Sequence, residues 1–415
     1  MKTLENYNVK IFTDNIEDKA IEQIKELLSI DVFADKKIRV MPDVHAGAGC
    51  VIGFTGNLGD KVIPNIVGVD IGCGMRVLKF KHDGDIDFHA FHNHIADNVP
   101  AGRDLRDLNV SPLAGKAVEI YREAKDLVTH LRCYRELKEQ KRLYRSIGTL
   151  GGGNHFIELD RDDEGYTYLV VHTGSRNLGK QVAEIYQSLA IKHLSGWDEM
   201  MAEQQRIIDE YKAAGKRSEL QGVIAELHRS FKMHKPTMPN DLCYIEGQTR
   251  EDYLHDMRLC QRWAILNRQM IAEILMQFFQ DIEILEEFES VHNYIGDDNI
   301  IRKGAISAYS GERCIIPLNM RDGSLICTGK GNDDWNNSAP HGAGRLLSRS
   351  QAYGQITIEE FENSMKGIYS ETVNEYTRDE SPMVYKPTDE IISNIAPTVN
   401  INTIIRPIFN FKASK

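Results

Sequence analysis

Five polar residues sit where a buried-core pattern would not put them, and together they could bind metal. Asp70 and Cys73 lie in Val-Gly-Val-Asp-Ile-Gly-Cys-Gly-Met (67–75). A carboxylate and a thiolate three apart, beside turn-forming glycines, can point at one ion, and suit a borderline divalent metal such as Mn, Fe, Co or Zn. His155 stands in Gly-Gly-Gly-Asn-His-Phe-Ile-Glu (151–158), His172 closes the apolar run Tyr168–Val171, and His292 stands in Val-His-Asn-Tyr (291–294). Each borders an apolar or glycine-rich stretch, where a rigid element can deliver a side chain to a site. A single histidine or a lone Asp-x-x-Cys serves equally well as a structural group. Five such donors would serve one metal, or two metals that share a ligand.

His341 carries a different chemistry. It stands in Ala-Pro-His-Gly-Ala-Gly-Arg (339–345), where glycines permit close approach of a phosphate. A helix is expected to start near Gly344, adding free N–H groups and a favourable dipole. An imidazole there can attack phosphorus and form a phosphoramidate; the alternative is a histidine in a tight turn. On that helix Arg345 would lie near His341 and could neutralise phosphate charge. Gly329-Lys330-Gly331 is too short for a phosphate loop. Nucleotide use is therefore expected outside the phosphate-loop and lysine nucleotidyl-transfer schemes.

The positioning elements read as follows. Ile38–Met41, Val51–Phe54 and Val62–Val69 are strand candidates, as are Phe156–Leu159, Tyr168–Val171, Cys314–Pro317 and Leu325–Thr328. A charged, helix-favouring region covers 116–145, where Arg135, Lys138, Arg142 and Arg145 would share one helical face and could track a phosphate backbone or simply face solvent. Residues 181–235 read as a helical insertion with a polar middle. Leu254, Met257, Cys260, Ala264, Ile271, Ile274, Leu275 and Phe278 form an apolar helical stripe, read as core. These elements predict a single α+β domain over 1–415, with polar glycine-rich loops converging on one site.

The 415-residue chain is 41% hydrophobic and 27% charged, as a globular protein with a sizeable core requires. No window is long and apolar enough for a membrane span, and Met1–Lys10 lacks a secretory apolar region. The seven cysteines are irregularly spaced without a CxxC, so a disulfide framework is not expected and a reducing cytoplasm is. A net charge of −11 argues against a general nucleic-acid binder but permits an enzyme with a local basic channel.

Taken in order, these segments resemble the RtcB family of RNA ligases. The matching pieces are Met-Pro-Asp-Val-His (41–45), 67–75, Gly-Thr-Leu-Gly-Gly-Gly-Asn-His-Phe-Ile-Glu (148–158), His-Thr-Gly-Ser-Arg (172–176) and Glu246-Gly247. Leu266-Asn267-Arg268, His292-Asn293, Arg302-Lys303-Gly304-Ala305, His341–Arg345, Ser348-Arg349, Pro-Met-Val-Tyr-Lys (382–386) and Lys412 continue the match.

The resemblance implies mixed β-sheets around a hydrophilic metal pocket, with surrounding helices. It implies joining of RNA 2′,3′-cyclic phosphate or 3′-phosphate ends to 5′-hydroxyl ends, with GTP as co-substrate and two Mn²⁺ ions. His341 would be guanylylated, GMP would pass to the RNA 3′-phosphate, and the 5′-hydroxyl would displace it. Asp70, Cys73, His155, His172 and His292 would hold the metals, with Cys73 bridging. Asn154, Glu158, Asn293, Asn319, Ser324, Gly342, Gly344, Arg345, Tyr385 and Lys412 would contact the nucleotide. Glu158 would accept from the guanine edge, and Asp43 and His45 would support the site or meet an RNA end. The expected partners are RNA and GTP, no membrane, in a monomer or homodimer.

One loop departs from the family. Many members carry Pro-Gly-Ser-Met-Gly where this chain has Pro317-Leu318-Asn319-Met320-Arg321-Asp322-Gly323-Ser324. That difference keeps open a 3′-phosphate guanylyl-capping enzyme, on RNA or DNA, with weak ligation. A metal-dependent phosphoesterase and a non-enzymatic metal-bound RNA-binding subunit are the readings from other classes.

Overall fold

The computed structural model describes residues 1–4, 7–109 and 113–413. They form one mixed α+β domain around two large sheets. The larger is antiparallel throughout, with strand order Arg313–Asn319, Gly323–Gly329, Val399–Phe411, Phe156–Arg161, Thr167–Thr173, Gly74–Phe80 and Ile284–Val291. The second has the order Lys2–Thr3, Val9–Ile11, Ile38–His45, Ile52–Asn57, Ile300–Lys303 and Tyr294–Ile295, with one parallel pairing. Ala305–Ser307 pairs separately with Ser338–Pro340.

Thr167–Thr173 is buried at every position. Its alternating side chains feed two cores. Leu169 and Val171 join the main core with the long helix Gly247–Met276, while Tyr168 and Val170 pack with Ile315, Ile326 and Ile405. Both faces are covered, so the strand reads as a continuous apolar run. On the long helix the predicted stripe from Leu254 to Leu275 is buried; Phe278 lies past the helix end and is half-buried.

That helix also carries two polar residues into the core. Asn267 and Arg268 are fully buried. The Asn267 side-chain oxygen accepts from the backbone N–H of Gly148 (2.7 Å) and Thr149 (3.2 Å), and its amide donates to Thr149 O, Thr173 Oγ1 and Gly174 O. Arg268 donates to Gly72 O at 2.9 Å, Thr173 O at 2.8 Å and Glu289 Oε2 at 2.7 Å. One helical step thus ties down the loops that precede Cys73, Asn154 and Ser175.

Four local expectations are corrected. Val62–Val69 is not a strand: Pro64 fixes φ and opens the short helix Pro64–Val67, leaving Val62 a single bridge to Ile245. The helix at Lys116–Thr129 stops before the basic residues. Leu137 is extended and Glu139 is left-handed (φ 51°), so Arg135, Lys138, Arg142 and Arg145 share no continuous helical face. The first helix of the 181–235 region begins at Arg176 and buries Leu178, Val182, Ala183, Tyr186 and Ala190, so the outlying polar part is confined to Trp197–Ala213 and Leu220–Ser230. No helix starts at Gly344. The next begins at Arg349, where Ser348 and Gln351 form a reciprocal capping box. Among the described residues, no helix is long and apolar enough to cross a membrane.

Candidate active site

Four of the five candidate metal ligands arrive at one end of four adjacent strands. His155 precedes Phe156–Arg161, His172 lies near the end of Thr167–Thr173, Cys73 precedes Gly74–Phe80, and His292 follows Ile284–Val291. Antiparallel pairing alternates strand starts with strand ends at a sheet edge, and this gathers the four. Asp70 joins from the preceding turn, where its Oδ1 accepts from Ser175 N at 3.1 Å. A Cβ at Gly174 would stand 2.2 Å from that carboxylate oxygen, so any other residue there would displace the Asp70 carboxylate.

Two donor groups share Cys73: Asp70–Cys73–His155 and Cys73–His172–His292. Cys73 Sγ lies 3.5 Å from His155 Nε2 and 3.4 Å from His172 Nε2, and His155 Nε2 lies 3.0 Å from Asp70 Oδ2. The opposite nitrogens of these rings meet backbone carbonyls, His155 Nδ1 on Leu150 O (3.0 Å) and His172 Nδ1 on Asn154 O (3.1 Å). Those bonds fix the proton on Nδ1 and leave the Nε2 lone pairs turned toward the thiol, the arrangement a ligating histidine needs. Burial, reinforced by neighbouring imidazoles, pushes His172 and His292 well below the ordinary histidine range and keeps both rings neutral. Burial and the Asp70 carboxylate push the Cys73 thiol well up, a penalty that a bound cation would reverse. His292 Nδ1 is buried without a hydrogen-bond partner in the protein. The donor set therefore fits one or two divalent ions.

His341 stands next in the row, its ring centroid 4.8 Å from that of His292. The fully buried Asp43 accepts with one oxygen, Oδ2, from both His341 Nδ1 (2.7 Å) and the His341 backbone N–H (3.2 Å). This commits Nδ1–H and leaves Nε2 as the free nitrogen. Gly344 permits the approach, since a Cβ there would stand 2.3 Å from Asp43 O. Lys386 pins the strand beneath, donating to Asn15 O and Pro42 O. Without a helix at 344, no helix dipole acts on His341, and Arg345 turns away to Leu347 O, Asp379 O and Glu380.

A cavity of about 530 Å³ opens onto Asp70, Cys73, His172, His292 and His341, a volume within the range of ligand sites. Asn154, Glu158, Asn293, Asn319, Gly342, Gly344, Arg345, Tyr385 and Lys412 also line it, as do His45 and Arg349. His155 sits behind its wall, against Asp70 and Cys73. Ser324 does not line the cavity: it is buried in its strand opposite Pro317 and Ile405. Asn293 spends its amide on Asp70 O and Gly304 N. Asn319 folds into its own turn, accepting from Arg321 N and Asp322 N and donating to Asp322 Oδ2. Glu158 accepts from Asn410 at 2.6 Å, and burial, against the pull of Asn410 and Lys412, pushes its carboxyl up to about 7.

Two more features bear on the site. Lys81-His82-Asp83-Gly84 spells Lys-x-Asp-Gly, the lysine nucleotidyl-transfer signature, which corrects the expectation that the sequence itself lies outside that scheme and alone would point to another nucleophile. Its lysine is 65% exposed, pairs with Asp83 at 3.3 Å and does not line the cavity, so its place argues against that role. Glu380 is buried behind the cavity wall and touches four of its polar side chains, yet no spacing signal marks it. Asn410, which orients Glu158, is equally unmarked.

Known proteins resemble this chain over nearly its whole length. The family model described as tRNA-splicing ligase RtcB matches residues 23–413. The RNA-splicing ligase RtcB of Escherichia coli K12 is 29% identical, over 98% of this chain and 97% of its own length. The tRNA-splicing ligases RtcB of Aeropyrum pernix (26%, 96% of this chain and 93% of theirs) and Thermococcus kodakarensis (25%, 94% and 92%) are similar across almost as much. With the family model matched over nearly its whole length, this chain belongs to the RtcB tRNA-splicing ligase family.

Proposed function

We propose that this chain is a GTP-dependent RNA ligase that joins 2′,3′-cyclic phosphate or 3′-phosphate ends to 5′-hydroxyl ends, with His341 as nucleophile. The observation that carries the reading is His341 itself: its Nδ1 is held by buried Asp43, its other nitrogen is free, and it stands beside a metal-binding donor set in a nucleotide-sized cavity. Nε2 attacks the α-phosphorus of GTP; a P–N bond forms, the bond to the pyrophosphate oxygen breaks, and pyrophosphate leaves. Asp43 stabilises the positive charge that develops on the ring. Where the end is a 2′,3′-cyclic phosphate, water first opens it, breaking the bond from phosphorus to the 2′-oxygen; the RNA 3′-phosphate then takes the GMP from His341, and the 5′-hydroxyl attacks that activated end and expels GMP.

Asp70, Cys73 and His155 would hold one Mn²⁺, and Cys73, His172 and His292 a second, with the thiolate shared. Ions held there would supply charge stabilisation at phosphorus. Glu158, held by Asn410, would accept from the guanine edge, with Tyr385 and Lys412 lining the same cavity. The test is intact mass after incubation with GTP and Mn²⁺: wild type gains ~345 Da and His341→Ala gains nothing. No adduct, together with no sealing of 3′-phosphate and 5′-hydroxyl RNA, sinks the proposal. Capped 3′ ends that accumulate without joining would favour the capping reading, which the self-bonded Asn319–Asp322 turn motivates.

A further inference from the structure

Glu380 lies behind the cavity wall rather than on it and is 2% exposed. Its two oxygens divide their work. Oε1 meets Arg345 Nη1 and Arg349 Nη2, each at 3.2 Å. Oε2 accepts from Tyr385 OH at 2.7 Å and faces Lys412 Nζ at 3.5 Å. All four partners line the cavity. Lys412 is itself 3% exposed, and its other polar partner is the carbonyl of Asn154, at 3.5 Å. Arg349 is further braced by Asp379 Oδ2 at 2.6 Å and reaches Gly153, where an added Cβ would stand 3.2 Å from Nη2.

Three cations within reach of one another would repel and splay without an anion between them. Burial works against ionising Glu380, but Lys412, Arg349 and Arg345 prevail and hold its carboxyl below the usual range. A buried carboxylate that satisfies four partners fixes four rotamers at once.

We infer that Glu380 is a positioning residue that couples two parts of the site, setting Tyr385 and Lys412 for the nucleotide and Arg345 and Arg349 for a phosphate of the RNA end. This rests on the ligase reading above. Glu380 touches no substrate and acts through these four side chains. It is not a mere neutraliser of positive charge: that role would predict tighter phosphate binding once the carboxylate is removed, whereas positioning predicts weaker binding.

The experiment compares wild type, Glu380→Gln and Glu380→Asp in the full chain. First, Lys412 acylation by an N-hydroxysuccinimide acetate reagent is quantified by peptide mass spectrometry, with no nucleotide or RNA present. Wild-type Lys412 should be protected, and E380Q should label several-fold faster as the ammonium swings to solvent. Second, the KM for GTP in His341 guanylylation and the rate of sealing RNA that already bears a guanylated 3′ end are measured separately. E380Q should raise the KM and slow the sealing, each by about tenfold or more, because both groups of donors lose a charged partner. The melting temperature checks folding. If E380Q does not fold, E380D serves, keeping the charge on a shorter arm and giving intermediate labelling and rates. Unchanged Lys412 labelling overturns the inference. So does a KM and a sealing rate within twofold of wild type, or a lowered KM. A wild type that neither guanylylates nor seals defeats the ligase reading instead, and the labelling arm still decides whether Glu380 positions Lys412.

Discussion

Replacing Asp43 by Asn keeps the shape of the group that holds His341 and removes its charge. In catalytic triads the equivalent swap costs about 10⁴-fold, because the amide lets the histidine adopt the wrong tautomer. Here the geometry predicts otherwise. Asp43 Oδ2 accepts from the His341 backbone N–H at 3.2 Å as well as from Nδ1 at 2.7 Å. A backbone N–H has no alternative tautomer, so it pins the asparagine oxygen to that side and keeps Nδ1–H in place. What is lost is the charge-assisted part of the bond. A charged hydrogen bond contributes about 1.5–3 kcal/mol and a neutral one about half that, so the loss is about 1–1.5 kcal/mol. At about 1.4 kcal/mol per decade, single-turnover guanylylation by D43N should slow ~5- to 15-fold. Asp43→Ala leaves two donors without an acceptor at about 1–3 kcal/mol each, and should slow the step ~100-fold or more. The rates follow from quenched time points by intact mass with GTP and Mn²⁺. A D43N loss beyond 10³-fold would show that the backbone N–H does not fix the tautomer. Rates near wild type for both variants would remove Asp43 from the mechanism.

Cys73→Ser should abolish the near-ultraviolet thiolate-to-metal band of the Co²⁺-loaded protein and weaken metal binding by at least ~100-fold, since loss of an outer-sphere partner alone costs up to that much; retention of full stoichiometry and the band would contradict a shared thiolate. Glu158→Gln tests the buried carboxyl that burial raises to about 7 from 4.5. The folded state holds this proton more tightly than the unfolded state, so stability falls as pH rises through that window. The nucleotide-free melting temperature of E158Q should therefore match wild type near pH 4.5 and exceed it above pH 7; a pH-independent difference would be inconsistent with that cause. Asn267→Ala should destabilise by several kcal/mol in urea unfolding, because two buried N–H groups lose their acceptor at about 1–3 kcal/mol each; a change under 1 kcal/mol would mean the loops are held by other contacts.

The metal-side residues are legible because each borders an apolar or glycine-rich stretch, although only two of their four strands, Phe156–Arg161 and Thr167–Thr173, carry a readable apolar run; Gly74–Phe80 and Ile284–Val291 are broken by Arg76, Lys79 and three glutamates. The ends of buried strands meet at sheet edges, so four such residues had somewhere to converge. Their partners were less so. That Asp43, on the other sheet, bonds His341 directly needs tertiary structure to see. Glu380 sits in the short 3₁₀ turn Glu375–Glu380, where no periodicity applies and a buried acid looks like any surface acid. The misplaced helix after His341 had a readable remedy: Ser348-x-x-Gln351 is a capping signal, whereas Gly342-Ala343-Gly344 offers flexibility but no cap. Pro64 likewise marked the break in Val62–Val69. The 116–145 segment was misjudged because charge content favours helix, while the left-handed Glu139 that interrupts it leaves no trace in composition.

The alignment of His155, His172, Cys73 and His292 along neighbouring strand ends has a further consequence. Strands in a ladder stand about 4.8 Å apart whatever side chains they bear. The spacing between ligands is thus ruled by main-chain hydrogen bonds, and their chemistry is written separately in the side chains. Exchanging one donor atom for another alters which ion is preferred without redrawing the scaffold beneath it. The donor chemistry at this sheet edge can therefore change while the spacing between the four side chains stays constant.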